Sequence, residues 1–152
     1  MTLPSSIVEN PQPPEVPACR VTSANNQASP AIFDFELEDY DTDDMHDNAV
    51  NPSRITIQTA GKYHYGANIE WVNPGASGAI AMEILLNGAT IINKDQIEID
   101  GASGQNPIQG VEGEFEFVVG DFIQVNTGDS FGGVKGLAVS AYSPTFWAHR
   151  IG

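Results

Sequence analysis

One stretch of this sequence constrains the fold more than any other. Between Gly61 and Trp71 every second residue is apolar or aromatic, and polar residues with one glycine fill the positions between. Side chains of a strand point alternately to its two faces, so this pattern predicts a strand with one aromatic face and one mainly polar face. Turn-forming residues bound it, with Ala60-Gly61 before it and Asn73-Pro74-Gly75 after it. We therefore expect a central strand of an antiparallel β-sandwich.

Shorter strands are expected on both sides of this central strand. Asn87-Gly88 is a strong signal for a hairpin, and the returning strand is expected to direct Ile91, Ile97 and Ile99 inward. Fifteen glycines, ten prolines and the lack of a convincing amphipathic helix favour an all-β chain. Eight to ten short strands at this spacing are typical of a sandwich or a jelly roll. The expected strands are 31–37, 54–57, 61–71, 79–86, 89–99, 109–119, 122–126, 137–142 and 146–151.

Residues 1–30 differ in composition from the rest of the chain. They contain six of the ten prolines, which remove backbone donors and favour extended conformations. Such a segment is either a disordered tail or an extended arm that becomes ordered on a partner, and we favour the arm. The sequence thus divides into an arm, 1–30, and a head domain, 31–152, so that deletion of residues 1–28 is expected to leave a folded head. The prolines expected to anchor the arm are Pro11, Pro13, Pro14 and Pro17.

The charge of the chain restricts its partners. Twenty acidic residues against six basic ones give a net charge of −14. Nucleic acids and anionic membranes both attract basic surfaces, so neither is expected as a partner, whereas cationic partners or bound cations are favoured. No signal peptide or 18-residue apolar run is present, and the single Cys19, expected in the arm away from the fold, excludes an internal disulfide. Synthesis in a reducing cytoplasm follows from these features.

The acidic stretch from Glu36 to Asp47 is a candidate cation site. Asp39, Asp41 and Asp43 imitate the start of a calcium-binding EF-hand loop, and Ca²⁺ prefers oxygen ligands. The imitation then fails, because Asp44 replaces the glycine of the tight turn and Val50 replaces the bidentate glutamate. A solvated loop is the favoured alternative, and no cofactor is expected.

Catalytic motifs are absent from the sequence. It has no Gly-x-Ser-x-Gly elbow, no P-loop and no dinucleotide-binding fingerprint. Three histidines, at positions 46, 64 and 149, are far apart along the chain and are expected to be structural. We therefore expect no enzymatic activity.

Four motifs in order resemble one known family. They are Gly61-x-Tyr63-x-Tyr65, Leu86-Asn87-Gly88, Gly120-Asp121-Phe122-Ile123 and Ser143-Pro144-x-Phe146-Trp147. This series resembles the globular head of complement component 1, subcomponent q, a tumour-necrosis-factor-like jelly roll. Residues 40–43, 45–47 and 51–56 further resemble the bacteriophage and bacterial versions of that head. The resemblance covers residues 31–152 and implies a ten-stranded jelly roll that assembles as a tight trimer.

The resemblance also suggests a function. Phage members of this group are virion components, either capsid decoration proteins or heads at the tips of tail fibres. This chain has neither a collagen-like repeat nor a long stalk before the head, which favours decoration. We expect a homotrimeric cement protein on the particle surface, held on the major capsid protein or another virion protein by its arm. The residues expected in the trimer interface or the core are Tyr63, Tyr65, Phe115, Phe117 and Trp147.

The alternative is a receptor-binding head on a tail. In that case the polar loops Asn73–Ser77, Asp100–Pro107 and Thr127–Gly136 would recognise a cell-surface glycan.

Overall fold

The structure, a computed structural model, describes residues 14–29, 31–131, 135–138 and 144–152, the backbone alone for 135–138. No helix among these residues is long and apolar enough to cross a membrane. The only helical segment described is a 3₁₀ turn, Gly101–Ser103. Twelve strands make up the rest of the regular structure: β1 Ala18–Thr22, β2 Gln27–Ser29, β3 Ala31–Ile32, β4 Leu37–Asp41, β5 Ile55–Thr56, β6 Gly61–Trp71, β7 Gly78–Leu86, β8 Thr90–Ile99, β9 Ile108–Phe117, β10 Phe122–Asp129, β11 Lys135–Ala138 and β12 Thr145–Arg150.

The strands form two antiparallel sheets that face each other. The seven-stranded sheet has the order β2-β11-β6-β12-β1-β4, with β9 on the other side of β6. The five-stranded sheet has the order β3-β10-β7-β8, with β5 also paired to β10. Neighbours in the sheets are mostly distant in sequence, which is the connectivity of a jelly roll rather than of a meander. The expected all-β jelly roll is therefore confirmed.

Strand β6 organises the seven-stranded sheet, as the alternation in its sequence predicts. It pairs with β9 along ten residues on one side, and with β12 and then β11 on the other. Its odd-numbered residues, from Tyr63 to Trp71, are all buried between the sheets. The Trp71 indole keeps a polar partner inside the core, since its Nε1–H donates to Gln109 Oε1 at 3.1 Å.

Residues 18–29 belong to the head, which corrects the expected boundary of the arm at residue 30. Strand β1 lies between β12 and β4, and β2 pairs with β11. Cys19 and Val21 point into the core and are fully buried, so Cys19 does not lie away from the fold. Burial of this small apolar pair and two ladders of backbone hydrogen bonds stabilise β1. This stabilisation outweighs the tendency of the proline-rich segment to remain extended and unpaired.

The stretch 31–37 does not form the single first strand that its alternation predicts. Strand β3 ends at Ile32 in the five-stranded sheet, and β4 begins at Leu37 in the seven-stranded sheet. Between them the chain crosses the core edge, where Phe33 N–H donates to Val125 O and Phe35 N–H to Pro52 O, both at 2.9 Å. Both phenylalanines are buried, so the alternation reflects core contacts made during a crossing rather than one strand.

The hairpin at Asn87-Gly88 is confirmed. Both residues have positive φ, 53° and 74°, and Ala89 N–H donates to Leu86 O, as in a type I′ turn. The β7–β8 register shifts between Ile84 and Leu85, and this bulge changes which face the next residues occupy. Ile91, expected inward, is consequently 50% exposed, whereas Ile97 and Ile99 pack against the core as expected.

The expected strand 137–142 and loop 127–136 are only partly described. Strand β10 continues to Asp129, and β11 begins at Lys135, so the loop between them is shorter than expected. Residues 132–134 and 139–143 lie outside the described residues. Twelve strands exceed the expected eight to ten because 18–29 contributes two and 31–41 is divided between the sheets.

Candidate functional site: the arm exit, the exposed sheet face and the loops

The arm leaves the head at one end of the jelly roll, which we call the base. Arg150 N–H donates to Pro17 O at 2.9 Å, and Thr42 Oγ donates to Val16 O at 2.8 Å. Of the prolines expected to anchor the arm, Pro14 is exposed and Pro17 is half-buried, while Pro11 and Pro13 lie outside the described residues. The head therefore holds the chain at Val16 and Pro17, the last part of the arm that the structure describes.

The base also carries exposed apolar side chains. Val16 and Ile151 are neighbours on adjacent chain segments. Ala18 pairs with His149 and Pro17 is bonded to Arg150, so the next residues on the two segments are Val16 and Ile151. The residues concerned are Val16, Val118, Val119 and Ile151, which are 58%, 64%, 63% and 51% exposed.

These side chains form a row across the base. Ile151 N–H donates to Lys62 O on β6, and Gly61 pairs with Phe117 on β9, directly before the two valines. The row crosses β1, β12, β6 and β9, which is about 15 Å at the usual strand spacing. Apolar groups arranged in this way at an arm exit can be buried against a partner.

The outward face of the seven-stranded sheet holds the second feature. Trp147 lies across Gly66, its partner on β6, so closely that a Cβ on Gly66 would lie 2.4 Å from Trp147 Cζ2. The absence of a side chain at position 66 therefore lets the indole lie flat on the sheet. Of the other residues expected in the interface or core, Tyr63, Tyr65 and Phe117 are buried in the core, and Phe115 is partly buried against it.

A histidine pair lies beside this tryptophan. His64 and His149 are register partners, with ring centroids 5.6 Å apart. His64 Nε2 is 3.5 Å from a carboxylate oxygen of Glu112 on β9. Partial burial, and then the neighbouring His64, lower the pKa of His149. This face thus combines an indole, two imidazoles and glutamates.

The acidic stretch is organised by Asp41. One carboxylate oxygen accepts the backbone N–H groups of Asp43 and Met45 at 3.2 and 3.0 Å, and the other accepts that of His46 at 2.8 Å. Asp39 instead points to Arg20 at 3.3 Å, with both side chains more than 40% exposed. The side chain of His46 is buried between Glu38 and Pro52 O.

The structure does not bring the candidate cation ligands together. Asp41 has its oxygens directed at backbone amides, while Asp39 forms an exposed ion pair. Within the ranges the structure describes, no three His, Cys, Asp or Glu side chains are grouped closely enough to hold a metal ion. The stretch acts locally as a hydrogen-bonded loop around one carboxylate.

The polar loops meet at the end opposite the base, which we call the distal end. Asn73 connects two of them, since its N–H donates to Asn106 Oδ1 and its side-chain amide to Gln105 O. Ser77 Oγ donates to Asp100 Oδ1 at 3.2 Å. The loops 73–77 and 100–107 thus form one surface, with a shallow depression of about 220 Å³ lined in part by Asn73, Asp100 and Asn106.

The order of the strands and the two-sheet arrangement give the chain a jelly-roll fold that is similar to tumour-necrosis-factor-like and complement-head domains. A crystal structure of murine APRIL at pH 5.0 matches it with a TM-score of 0.70 and 8% identity, over 90% of this chain and all of that one. The globular domain of zebrafish complement 1qA protein matches with a TM-score of 0.63 and 11% identity, over 90% of this chain and 98% of that one. No family model and no curated protein matches the sequence. At these identities the comparisons show the fold.

Several of these features were not predicted from the sequence. The apolar row of the base depends on which strand ends meet, and the histidine pair depends on a register across more than eighty residues. One local signal could have indicated exposed apolar residues at a strand end, namely two valines, Val118-Val119, directly before the Gly120-Asp121 turn.

Proposed function

We propose that this protein is a structural component of a bacteriophage particle, a homotrimer that decorates the capsid with its base toward the shell. The observation that carries this proposal is the position of the arm. The arm leaves the head from the same end that exposes the apolar row Val16, Ile151, Val118 and Val119. Arm and base can therefore engage one partner surface together, without any catalytic step.

Apolar burial supplies the favourable term at the base. Each of the four side chains is more than half exposed in the free head, and burial of apolar area contributes roughly 25 cal/mol per Å². Such a patch is too small for tight binding by one subunit. Three bases and three arms on one trimer would act together, and effective concentration then converts weak contacts into stable attachment.

The trimer is part of the proposal and rests on the resemblance to complement heads. The outward face of the seven-stranded sheet offers suitable chemistry for contact between subunits, because aromatic residues such as Trp147 are enriched at interfaces. This face lies roughly perpendicular to the base, so subunits that meet through it would keep their bases on one side.

The charge of the chain indicates the partner. A net charge of −14 repels nucleic acid, and it favours a partner surface with basic residues. We therefore expect the arm and base to bind a basic region of the major capsid protein or of another virion protein.

The test is re-addition of purified protein to particles assembled without it, with bound copies counted by electron cryo-microscopy. We compare the full chain with a truncation of residues 1–13 and with the base variant Val118→Ser/Val119→Ser. Both changes should lower occupancy at least about tenfold, the effect of losing about 1.4 kcal/mol. The matched control is Val72→Ser/Ile108→Ser, which alters two exposed apolar residues away from the base.

The control variant should decorate like the full chain. Density at three-fold or quasi-three-fold capsid positions, with the base toward the shell, is the expected result. Full occupancy by the truncated chain, or density confined to a tail, would contradict the proposal.

A second candidate function is recognition of a host-surface glycan by the distal end. It is favoured by the hydrogen bonds that join the loops 73–77 and 100–107 into one polar surface. Binding of the isolated head to host cells, lost on Asn73→Ala, would favour this alternative, as would a few copies per particle instead of hundreds.

A further inference from the structure

The outward face of the five-stranded sheet contains a groove outside the base, the distal end and the seven-stranded sheet. Its volume is about 520 Å³, and it lies across β3, β10, β7 and β8. Pockets that bind small ligands generally measure about 300–1,000 Å³. The groove is thus large enough for a small organic molecule.

The groove exists because small residues coincide in the sheet register. Gly128 pairs with Ala81, so neither strand places a bulky side chain on the outward face at this point. Ala79 extends the same low floor toward the distal end, and Ala31 lines the groove on the side of β3. Outward side chains normally cover a sheet face, and their absence at neighbouring positions leaves a depression with an apolar floor.

One wall of the groove is a fixed polar row. Asn126, Glu83 and Lys94 are register neighbours on β10, β7 and β8. Asn126 Nδ2 donates to one oxygen of Glu83 at 2.9 Å, and Lys94 Nζ lies 3.1 Å from the other. The hydrogen bond from Asn126, and then the bond and charge of Lys94, lower the pKa of Glu83 despite partial burial. The carboxylate is thus ionised, oriented and neutralised by its neighbour.

The remaining lining supplies groups with unused hydrogen-bonding capacity. The exposed Gln96 side chain has no partner among the described residues. Ser130 Oγ accepts the N–H of Ala79 at 2.8 Å, which leaves its hydroxyl proton available. At the same end, Asp129 accepts the N–H of Phe131 with one oxygen, and its other oxygen has no donor within the described part of the chain.

We propose that this groove binds a neutral saccharide unit. Hydroxyl groups both donate and accept, so a sugar ring can meet the ammonium of Lys94 and the amides of Asn126 and Gln96, with the hydroxyl of Ser130 farther along the groove. The C–H face of a ring fits the floor of alanine and glycine. Because Glu83 and Lys94 compensate each other, the row gives no advantage to a charged ligand.

The proposed site is compatible with assembly. The groove lies on the sheet opposite the face proposed for contact between subunits, and away from the base. A trimer attached through its bases would therefore present three open grooves at its sides. The proposal does not depend on the capsid role, because the isolated head is sufficient to test it.

The experiment is a ¹⁵N-resolved NMR titration of the full chain with methyl glycosides of glucose, galactose, mannose and N-acetylglucosamine at millimolar concentrations. Chemical-shift changes confined to residues 79–83, 94–96 and 126–130 are expected for at least one glycoside. Ala81→Leu, which fills the floor, should abolish these changes. Glu83→Gln should weaken binding about tenfold, because Asn126 and Lys94 lose the carboxylate that orients both of them toward the ligand.

Two controls separate specific binding from other outcomes. Glu98→Gln is the matched variant, since Glu98 is an exposed glutamate on β8 that does not line the groove, and it should bind like the unmodified chain. Glycerol should cause no comparable shifts. Equal shifts with glycerol, unchanged binding by Ala81→Leu, or no shifts in the groove with any glycoside would overturn the proposal. Shifts confined to 73–77 and 100–107 would overturn it and support the distal end as the glycan site.

Discussion

Replacement of Asp41 by alanine is the perturbation that best tests how the acidic stretch is built. The carboxylate accepts three backbone N–H groups, from Asp43, Met45 and His46, at 2.8–3.2 Å. This loop places the Met45 side chain in the core and buries His46. Loss of the carboxylate therefore leaves three donors without their acceptor and loosens a loop that contributes to the core.

The magnitude follows from the number and kind of these bonds. A hydrogen bond to a charged group contributes about 1.5–3 kcal/mol, and water can replace part of it at a half-exposed loop. We expect Asp41→Ala to lower the free energy of unfolding by about 3 kcal/mol, and to lower the melting temperature by about 6–12 °C for a chain of this size. Asp41→Asn should lose about 2 kcal/mol, because its NH₂ group must face at least one backbone donor.

The assay is urea denaturation followed by tryptophan fluorescence, with Asp39→Asn as the matched control. Asp39 lies on the same strand, but its ion pair with Arg20 is exposed, so its loss should cost less than about 1 kcal/mol. All variants are measured with and without a chelator. If Asp41→Ala and Asp39→Asn were equally destabilising, or if a chelator destabilised the unmodified chain to the level of Asp41→Ala, bound cation rather than backbone hydrogen bonding would explain the loop.

Three further predictions concern the sheet and its core. Gly66→Ala should destabilise the head by about 1–3 kcal/mol in urea, because its Cβ would overlap Trp147, and a neutral effect would contradict the close packing. Because the folded-state pKa of His149 is lowered, the unfolded chain binds the proton more tightly; stability should be full above about pH 6.5 and fall as pH drops through the lower folded-state pKa. His64→Gln should reduce this loss, measured as the difference in urea midpoint between neutral and mildly acidic pH. Burial, then nearby acidic charges, raise the pKa of the Cys19 thiol, so it should react with a thiol reagent only on unfolding; rapid labelling of the native chain would disagree.

The fold could be predicted from the sequence where one local pattern matched one element. The alternation from Gly61 to Trp71 coincides with β6 because a single register keeps its odd residues buried along the whole strand. The Asn87-Gly88 hairpin is local for the same reason: two residues with positive φ determine the turn. Such features need no information about distant partners.

Strand β1 could not be predicted in this way. It is five residues long, it contributes only Cys19 and Val21 to the core, and it follows a proline-rich segment. Its partners are β12, more than a hundred residues away, and β4. Long-range pairing of this kind is decided by the whole sandwich and leaves almost no local signal.

The candidate site was partly predictable for a similar reason. An acid-rich stretch has the same appearance in sequence whether its carboxylates bind a cation or accept backbone N–H groups. The two cases are distinguished only by the structure, in which the Asp41 carboxylate is directed at backbone N–H groups. The groove on the five-stranded sheet depends on Gly128 and Ala81 being neighbours, which is a property of register rather than of either strand alone.

The position of β1 also decides where the arm can be removed. Truncation of residues 1–13 stops before the first bonded residues, so the head should keep its stability. Truncation of 1–28 removes Cys19 and Val21 from the core, at a cost of about 1.5–3 kcal/mol for the valine alone, and leaves β12 and β4 without their shared neighbour. Since a domain of this size is stable by only about 5–15 kcal/mol, we expect the longer truncation to unfold, as measured by circular dichroism.

A synthetic peptide of residues 14–29 should restore folding by adding the missing strand, and the same peptide with Val21→Asp should not. Native stability of the 1–28 truncation without peptide would show that β1 is dispensable and would return those residues to the arm.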